Sequence, residues 1–412
     1  MTINRRSLLA VGVFVALGGM AGVGRWYETH RARPQAGGTP TVLVHVTNGG
    51  DRGPGTLREA LFLVAGSGGP SRISIEVTTI TLESALPAFV NGHGVSLVAQ
   101  AAGSLIDAQA LASGPVLDIS GPSTSIEGIT VRHCPAAAIL VRSSHFHLTG
   151  STIEDCDVGV DVAENASGTL LEHNLLLKDR IGVRFAAAGG DSVIANNEFR
   201  ENHDAGLWAV RSESEARDDA IGIHDNKFSA NGIGIVAGNI GVRVERNDFI
   251  NAHEADVQIV GAGAVIRGNH INGGAAMGIV AENARGAVID DNEIEGLTAY
   301  GVMVRGSSNT LVEKNRVHNC GYGLAFVLGD PRAVSSAVDN TIIEPKFNGI
   351  DVIGDSPVLR RNQVLRAHAY ALHVEDFTAA NRPTIQSQPF LDDNNFGNSP
   401  VSRSANAAAP HR

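Results

Sequence analysis

The chain has 412 residues, 48 of them glycine, with only 5% aromatic and 18% charged side chains and a formal net charge of −11. Such a balance excludes a general nucleic-acid binder, which needs a basic face to neutralise phosphates. It leaves room for anionic polysaccharides, which a few local arginines can hold.

Residues 1–24 read as a targeting segment. Arg5 and Arg6 precede Ser7-Leu-Leu-Ala and an apolar run rich in Gly and Ala, the order of a charged n-region and an h-region. The paired arginines resemble a twin-arginine signal, departing from it at Asn4 and Ala10. An uncleaved membrane anchor is the alternative, since the apolar run approaches spanning length. Residues 25–40, with Pro34, Gly37, Gly38 and Pro40, read as a linker.

Residues 41–71 read as an entry strand, a Gly/Pro turn and a short helix. Thr56 is placed to cap that helix, with Glu59 three residues on as its capping-box partner. The run Gly53-Pro-Gly-Thr-Leu-Arg-Glu-Ala-Leu61 resembles the entry motif of right-handed parallel β-helices of the pectate-lyase-like superfamily. The resemblance implies that the helix plugs an open end of the solenoid, where apolar core and strand edges would otherwise lie bare.

From 72 to 375 one pattern repeats: a β-rich run, an Asn, an apolar residue two later, then a Gly opening a second β-rich run. Asn174, Asn197, Asn226, Asn247, Asn269, Asn292, Asn315, Asn340 and Asn362 hold the Asn place, at intervals by subtraction of 23, 29, 21, 22, 23, 23, 25 and 22. A period of this length means stacked supersecondary units. The expected fold is all-β, a parallel β-helix of about a dozen coils, right-handed by the resemblance and by the general hand of parallel crossovers. Coils one strand spacing apart, about 4.8 Å, stack like residues into ladders. The Asn column is expected to be structural, because Asn tolerates left-handed backbone and stacked amides bond one another. From 376 to 412 the period fades into a C-terminal cap and an Ala/Ser/Pro tail that reads as disordered.

Alternation within the strand after the Gly turns one residue per coil outward: Leu140, Asp161, Arg184, Trp208, Val236, Gln258, Val280, Met303, Ala325, Asp351 and His373. Two stretches of this column depart from bland residues. In the first, Arg184 could hold a uronate carboxylate, Trp208 offers a platform for a sugar ring, and Asp161, His203 or Asp204 could move a proton. Arg180 is a further candidate for substrate, and a polar insertion, Arg211–Asp219, follows Trp208. The bland alternative is an ion pair between Asp161 and Arg184. The second stretch is Asp351 and His373, with Tyr370, His368 and Glu375 nearby.

Cys134 and Cys156 are 22 residues apart, one coil length. They stack as a disulfide or as two buried thiols, and the latter is the favoured expectation. No Cys/His spacing resembles a metal site and no ordered acidic cluster announces calcium, so no cofactor is expected. Gly92-His-Gly94 resembles a polygalacturonase signature without its preceding aspartates. The Asp-Pro-His-Asp signature of alginate epimerases and the Pro-flanked arginine motifs of pectate lyases are absent. The resemblance therefore covers the fold, roughly residues 41–375, and transfers no catalytic residue.

The functional expectation is an exported, periplasmic or extracellular protein that binds or modifies a polysaccharide, as a uronan lyase or epimerase if catalytic. The rival expectation is a non-catalytic accessory β-helix similar to the NosD-like group. Contact with a membrane is expected only through an uncleaved N-terminal segment.

Overall fold

The computed structural model describes residues 42–404, apart from 101–102, 187–189, 212–220, 275, 331–332 and 379–383. The stretches expected to be a targeting segment and a linker, most of the insertion after Trp208 and the end of the tail lie outside the described residues.

The described chain forms an all-β parallel solenoid of about 12 turns. One coil shows the plan: strand Ala264–Arg267, a corner at Asn269, strand His270–Asn272, a second corner, then strand Met277–Arg285. The first strands of successive coils make one sheet, 15-stranded among the described residues, and the other two strands make the remaining walls. Pairing between coils is parallel and in register, as in Val265 with Val288 and Ile266 with Ile289. Inward residues Val183, Phe185, Leu207, Ala209, Ile279, Ala281, Val302, Val304, Ile350 and Val352 are all at most 1% exposed. Phe199, Phe228 and Phe249 stack through the core with centroids 4.6 and 4.9 Å apart.

The Asn column is a hydrogen-bonded ladder. Asn269 Oδ1 accepts from the backbone N–H and from Nδ2 of Asn247 at 2.9 and 3.1 Å, while its own Nδ2 donates to Val244 O and Asn292 Oδ1 at 2.9 Å each. The left-handed backbone expected of these asparagines falls instead on the residue before each of them: His173, Asn196, Asp225, Arg246, Gly268, Asp291, Lys314, Asp339 and Arg361 all have φ between 50° and 60°. The asparagine is selected for its amide, and its neighbour makes the turn. The ladder also outlasts the visible period: Asn394 accepts from Asn362, and strands Phe390–Asp392 and Val401–Ser404 add to the walls.

Helix Leu57–Ala65 sits at the start of the solenoid. Thr56 Oγ1 accepts from Glu59 N, and Glu59 Oε2 accepts from Gly55 N at 2.6 Å. Its buried face is Leu57, Ala60, Leu61 and Val64. Cys134 and Cys156 stand opposite each other on adjacent coils, Cα atoms 4.3 Å apart, and form a disulfide. The favoured expectation of two thiols is thus corrected. In-register stacking brings the Cα atoms to disulfide distance, a proximity that spacing alone left ambiguous.

A second, shorter ladder runs Asp179, Asn202, Asn231. Asp179 Oδ1 accepts from Cys156 N at 2.9 Å, but Oδ2 has no partner among the described residues. Burial holds this carboxyl well above its ordinary range. A protonated Oδ2 then stands where its neighbours carry an amide N–H. The column of glycines opening the outer strand, Gly182, Gly206, Gly234, Gly278, Gly301, is interrupted once, by Asp256. Its carboxyl is fully buried, lacks a partner among the described residues and is likewise pushed up by burial.

Two outcomes are expected. Asn269→Ala strands the Asn247 amides and the Val244 carbonyl in the interior, at about 1–3 kcal/mol for each buried group left unpaired; urea denaturation should show a loss of about 3 kcal/mol, and a loss under ~0.5 kcal/mol would sink the structural role. For Asp179 the folded carboxyl titrates above its unfolded value of about 3.9. Its contribution is therefore complete below about pH 4 and declines as pH rises toward the folded value. Asp179→Asn, and Asp256→Gly by the same reasoning, should raise the melting temperature more at pH 7 than at pH 4.

Candidate functional site

Register places the outward residues in one continuous column. Leu140 pairs with Asp161, Asp161 with Arg184, Arg184 with Trp208 and Trp208 with Val236. Further along, Met303 pairs with Ala325, Ala325 with Asp351 and Asp351 with His373.

At the first stretch the structure brings the sequence candidates together and ties them to one another. Arg184 donates from Nε and Nη2 to the two carboxylate oxygens of Asp161, at 2.9 and 2.6 Å. Arg180 donates from Nε to Asp157 at 2.6 Å and from Nη1 to Asp204 at 3.0 Å. His203 Nδ1 lies 2.6 Å from Asp204 Oδ1, and its side chain is 85% exposed. His203 and then Arg180 hold the Asp204 carboxyl below its ordinary value, and Arg180 does the same for Asp157. The Asp161 contact raises Arg184 further. Carboxylates so stabilised are weak proton acceptors, and guanidinium edges already engaged by protein carboxylates are poorly placed to take a uronate. Asp157 was missed in the sequence, although it lies one coil length before Arg180.

The second stretch is different in kind. Asp351 faces outward yet is 3% exposed. Its Oδ1 accepts from Asn348 Nδ2 at 2.8 Å and lies 3.3 Å from His373 Nδ1. Burial pushes the carboxyl up, opposed by Asn348 and His373, and the charge of Glu375 adds to the rise. The His373 ring stacks on Tyr370, centroids 5.9 Å apart. Beside it Tyr300, Tyr322 and Phe347 form a stack with centroids 4.7 and 5.0 Å apart, and Phe347 is 50% exposed. Burial first, then the charge of Asp351, raises the Tyr300 hydroxyl. Val280, Met303 and Ala325 give the outward column an apolar floor before Asp351. His368 is exposed. The aromatic stack was not read from the sequence; its signal is Tyr300 and Tyr322, 22 residues apart. A shallow trough of about 690 Å³ follows the asparagine corner, and there Asp225 is paired with Arg246 at 3.0 Å.

Among the described residues no group of three His, Cys, Asp or Glu side chains converges as a metal site.

The Asp161–Arg184 pair is partly exposed, so solvent screens it. Arg184→Ala should cost about 1 kcal/mol or less at low salt and still less at high salt. A loss of several kcal/mol in urea melts would contradict a screened surface pair.

Comparison with known proteins gives two family matches, each over part of the chain. Residues 214–365 match the right handed beta helix region, and residues 118–262 match a family described as periplasmic copper-binding protein (NosD). Among the described residues of the matched stretch the two cysteines are joined to each other and no group of three His, Cys, Asp or Glu side chains converges to hold the copper of that description. No curated protein matches. Among solved structures the chain is similar to the catalytic unit of a GH87 α-1,3-glucanase from Streptomyces thermodiastaticus, with 13% identity, TM-score 0.56 and coverage of 89% of this chain and 71% of that one. It is similar also to the A-module of a mannuronan C-5 epimerase from Azotobacter vinelandii, with 14% identity, TM-score 0.53 and coverage of 85% and 98%. A PL6 alginate lyase in complex with a trisaccharide gives 11% identity, TM-score 0.53 and coverage of 88% of each chain. At these identities the likeness is one of fold, and the chain is a right-handed β-helix repeat protein.

Proposed function

We propose that this chain is an exported β-helix protein that binds, and in its catalytic form modifies, a polysaccharide along the outward face. The observation that carries the reading is the stack Tyr300, Tyr322, Phe347 beside the apolar column Val280, Met303, Ala325. Stacked rings next to an apolar floor match the apolar faces of sugar rings, while Asn348, His373 and Asp351 offer polar partners to hydroxyls. The glucanase, epimerase and lyase named above act on polysaccharides and support the same class. Export rests on Arg5-Arg6 and the apolar run after them, with an uncleaved anchor as the variant.

The finer version, a uronan lyase or epimerase, assigns Arg184 to the uronate, Trp208 and Arg180 to substrate binding, and Asp161, His203 or Asp204 to the proton. It requires Arg184 and Arg180 to give up Asp161, Asp157 and Asp204 when substrate arrives. A second reading, the non-catalytic accessory protein, is favoured by the NosD match over residues 118–262.

The test is retention on a panel of immobilised neutral and uronic glycans. At least one glycan should be retained, and Tyr322→Ala or Phe347→Ala should weaken it about tenfold, a loss of ~1.4 kcal/mol. Absence of retention on every glycan would sink the reading. Appearance of unsaturated uronate products, abolished by Arg184→Ala, would place catalysis at the first stretch instead.

A further inference from the structure

We propose that Asp351 and Glu375 are a carboxyl pair that hydrolyses a neutral glycan laid across the face between Tyr322 and His373. The proposal rests on the glycan reading above and names its substrate class and chemistry.

Asp351 sits on an outward position but is closed in, with Asn348 and His373 on its Oδ1 and Tyr370 behind His373. Glu375 lies on the next coil, two residues past His373. Alternation puts it on the same outward side, in register with Ile353. One strand spacing across and a two-residue rise along place the two Cα atoms about 8 Å apart. Side chains projecting side by side from Cα atoms that far apart can hold their carboxyl groups within the roughly 6.5–9.5 Å that leaves room for a water, as in glycosidases that invert the anomeric centre. The two environments also differ. Asp351 is 3% exposed, whereas Glu375 keeps contact with solvent. An enclosed carboxyl beside one in reach of water provides the two different environments that acid and base require.

Charge selects the substrate class. Among the described residues, the outward positions of this strand column from Val280 to Glu375 carry one arginine, Arg305, 3.7 Å from Glu282, and the corner at Phe347 adds the exposed Lys346. Against these stand Glu282, Asp351 and Glu375. A polyuronate would meet three carboxyls against Arg305 and Lys346, with no unpaired guanidinium among the described residues of this wall to hold it. A neutral chain meets hydroxyl partners and stacked rings.

The step balances. Asp351 gives its proton to the glycosidic oxygen, the C1–O bond breaks, and the electron pair leaves on that oxygen. A water oxygen bonds to C1 from the opposite side, and its proton passes to Glu375. The products are a free hydroxyl and a reducing end of inverted configuration. Solvent then restores the proton of Asp351 and removes that of Glu375.

The purified full chain is incubated with neutral glucans, fructans, mannans and xylans and with polyuronates. Binding is followed by affinity electrophoresis, cleavage by reducing-end release, and configuration by proton NMR of the first product. At least one neutral glycan should be bound and cleaved with inversion. Asp351→Asn and Glu375→Gln should each slow release by a factor of ~100 or more with binding retained. Glu375→Gln, at a solvent-contacting position, keeps the test valid if Asp351→Asn fails to fold. Binding of a neutral glycan without reducing ends, or equal rates in both variants, overturns the pair and leaves the glycan reading standing. Cleavage with retained configuration overturns the water-gap geometry. Binding of polyuronates alone overturns the neutral class, and binding of nothing overturns both readings.

Discussion

Everything in this fold depends on one contact repeated coil after coil: an asparagine side chain bonded to the backbone and to the amide of its neighbour. Asn197, Asn247, Asn269, Asn292 and Asn315 each receive two such bonds on Oδ1 from the preceding rung. The bond is buried, so a slip of one residue leaves amides and carbonyls unpaired in the interior. The same slip would turn Ile279 and Ala281 out and Val280 in. The ladder therefore locks register, and register turns the sequence into columns. A side chain on the surface of such a body meets chiefly the residues of the coils above and below.

That restriction explains why many of the surface charges are paired across one coil. Arg246 bonds Asp225, Arg267 bonds Asp290, and Arg361 bonds Asp339, each across one coil. Arg184 with Asp161 and Arg180 with Asp157 follow the same pattern. Stacking at a spacing of about 4.8 Å would set like charges against each other, and opposite charges on successive coils relieve it. The first stretch thus conforms to how the whole scaffold manages charge. Asp351 departs from it, because its cross-coil partner is a histidine and its surroundings are aromatic rather than cationic.

The features legible in the sequence were those set by period alone. A repeat near 22 residues and an alternation of two predict the core columns and the outward column, and both are present, residue for residue from Leu140 to His373. What stayed hidden depends on corners, whose lengths vary. The left-handed turn belongs to the residue before each Asn, and no alternation rule distinguishes those two positions. Phe347 reaches the tyrosine stack from a corner rather than a strand. The enclosure of Asp351 needs Asn348 to turn back three residues onto it. The Cys134–Cys156 bond lies where register still holds, just before it shifts between Cys156 and Val158.

Among the described residues burial raises four carboxyls, Asp179, Asp256, Asp351 and Asp355, and surroundings separate the first three. Asp179 lies in a ladder of amides and, once protonated, serves as one more rung. Asp256 occupies the glycine column, where a side chain at neighbouring Gly234 would come within 2.8 Å of the Phe249 ring. It is enclosed in the interior with no partner among the described residues, which costs stability and gives a ligand no approach. Asp351 is enclosed too, but on the outward side, with a histidine and an asparagine on its Oδ1 and its charge felt by Tyr300. Desolvation alone would rank the three together. Only the direction each one faces tells a structural acid from one that can meet a substrate, and in a solenoid that direction follows from register.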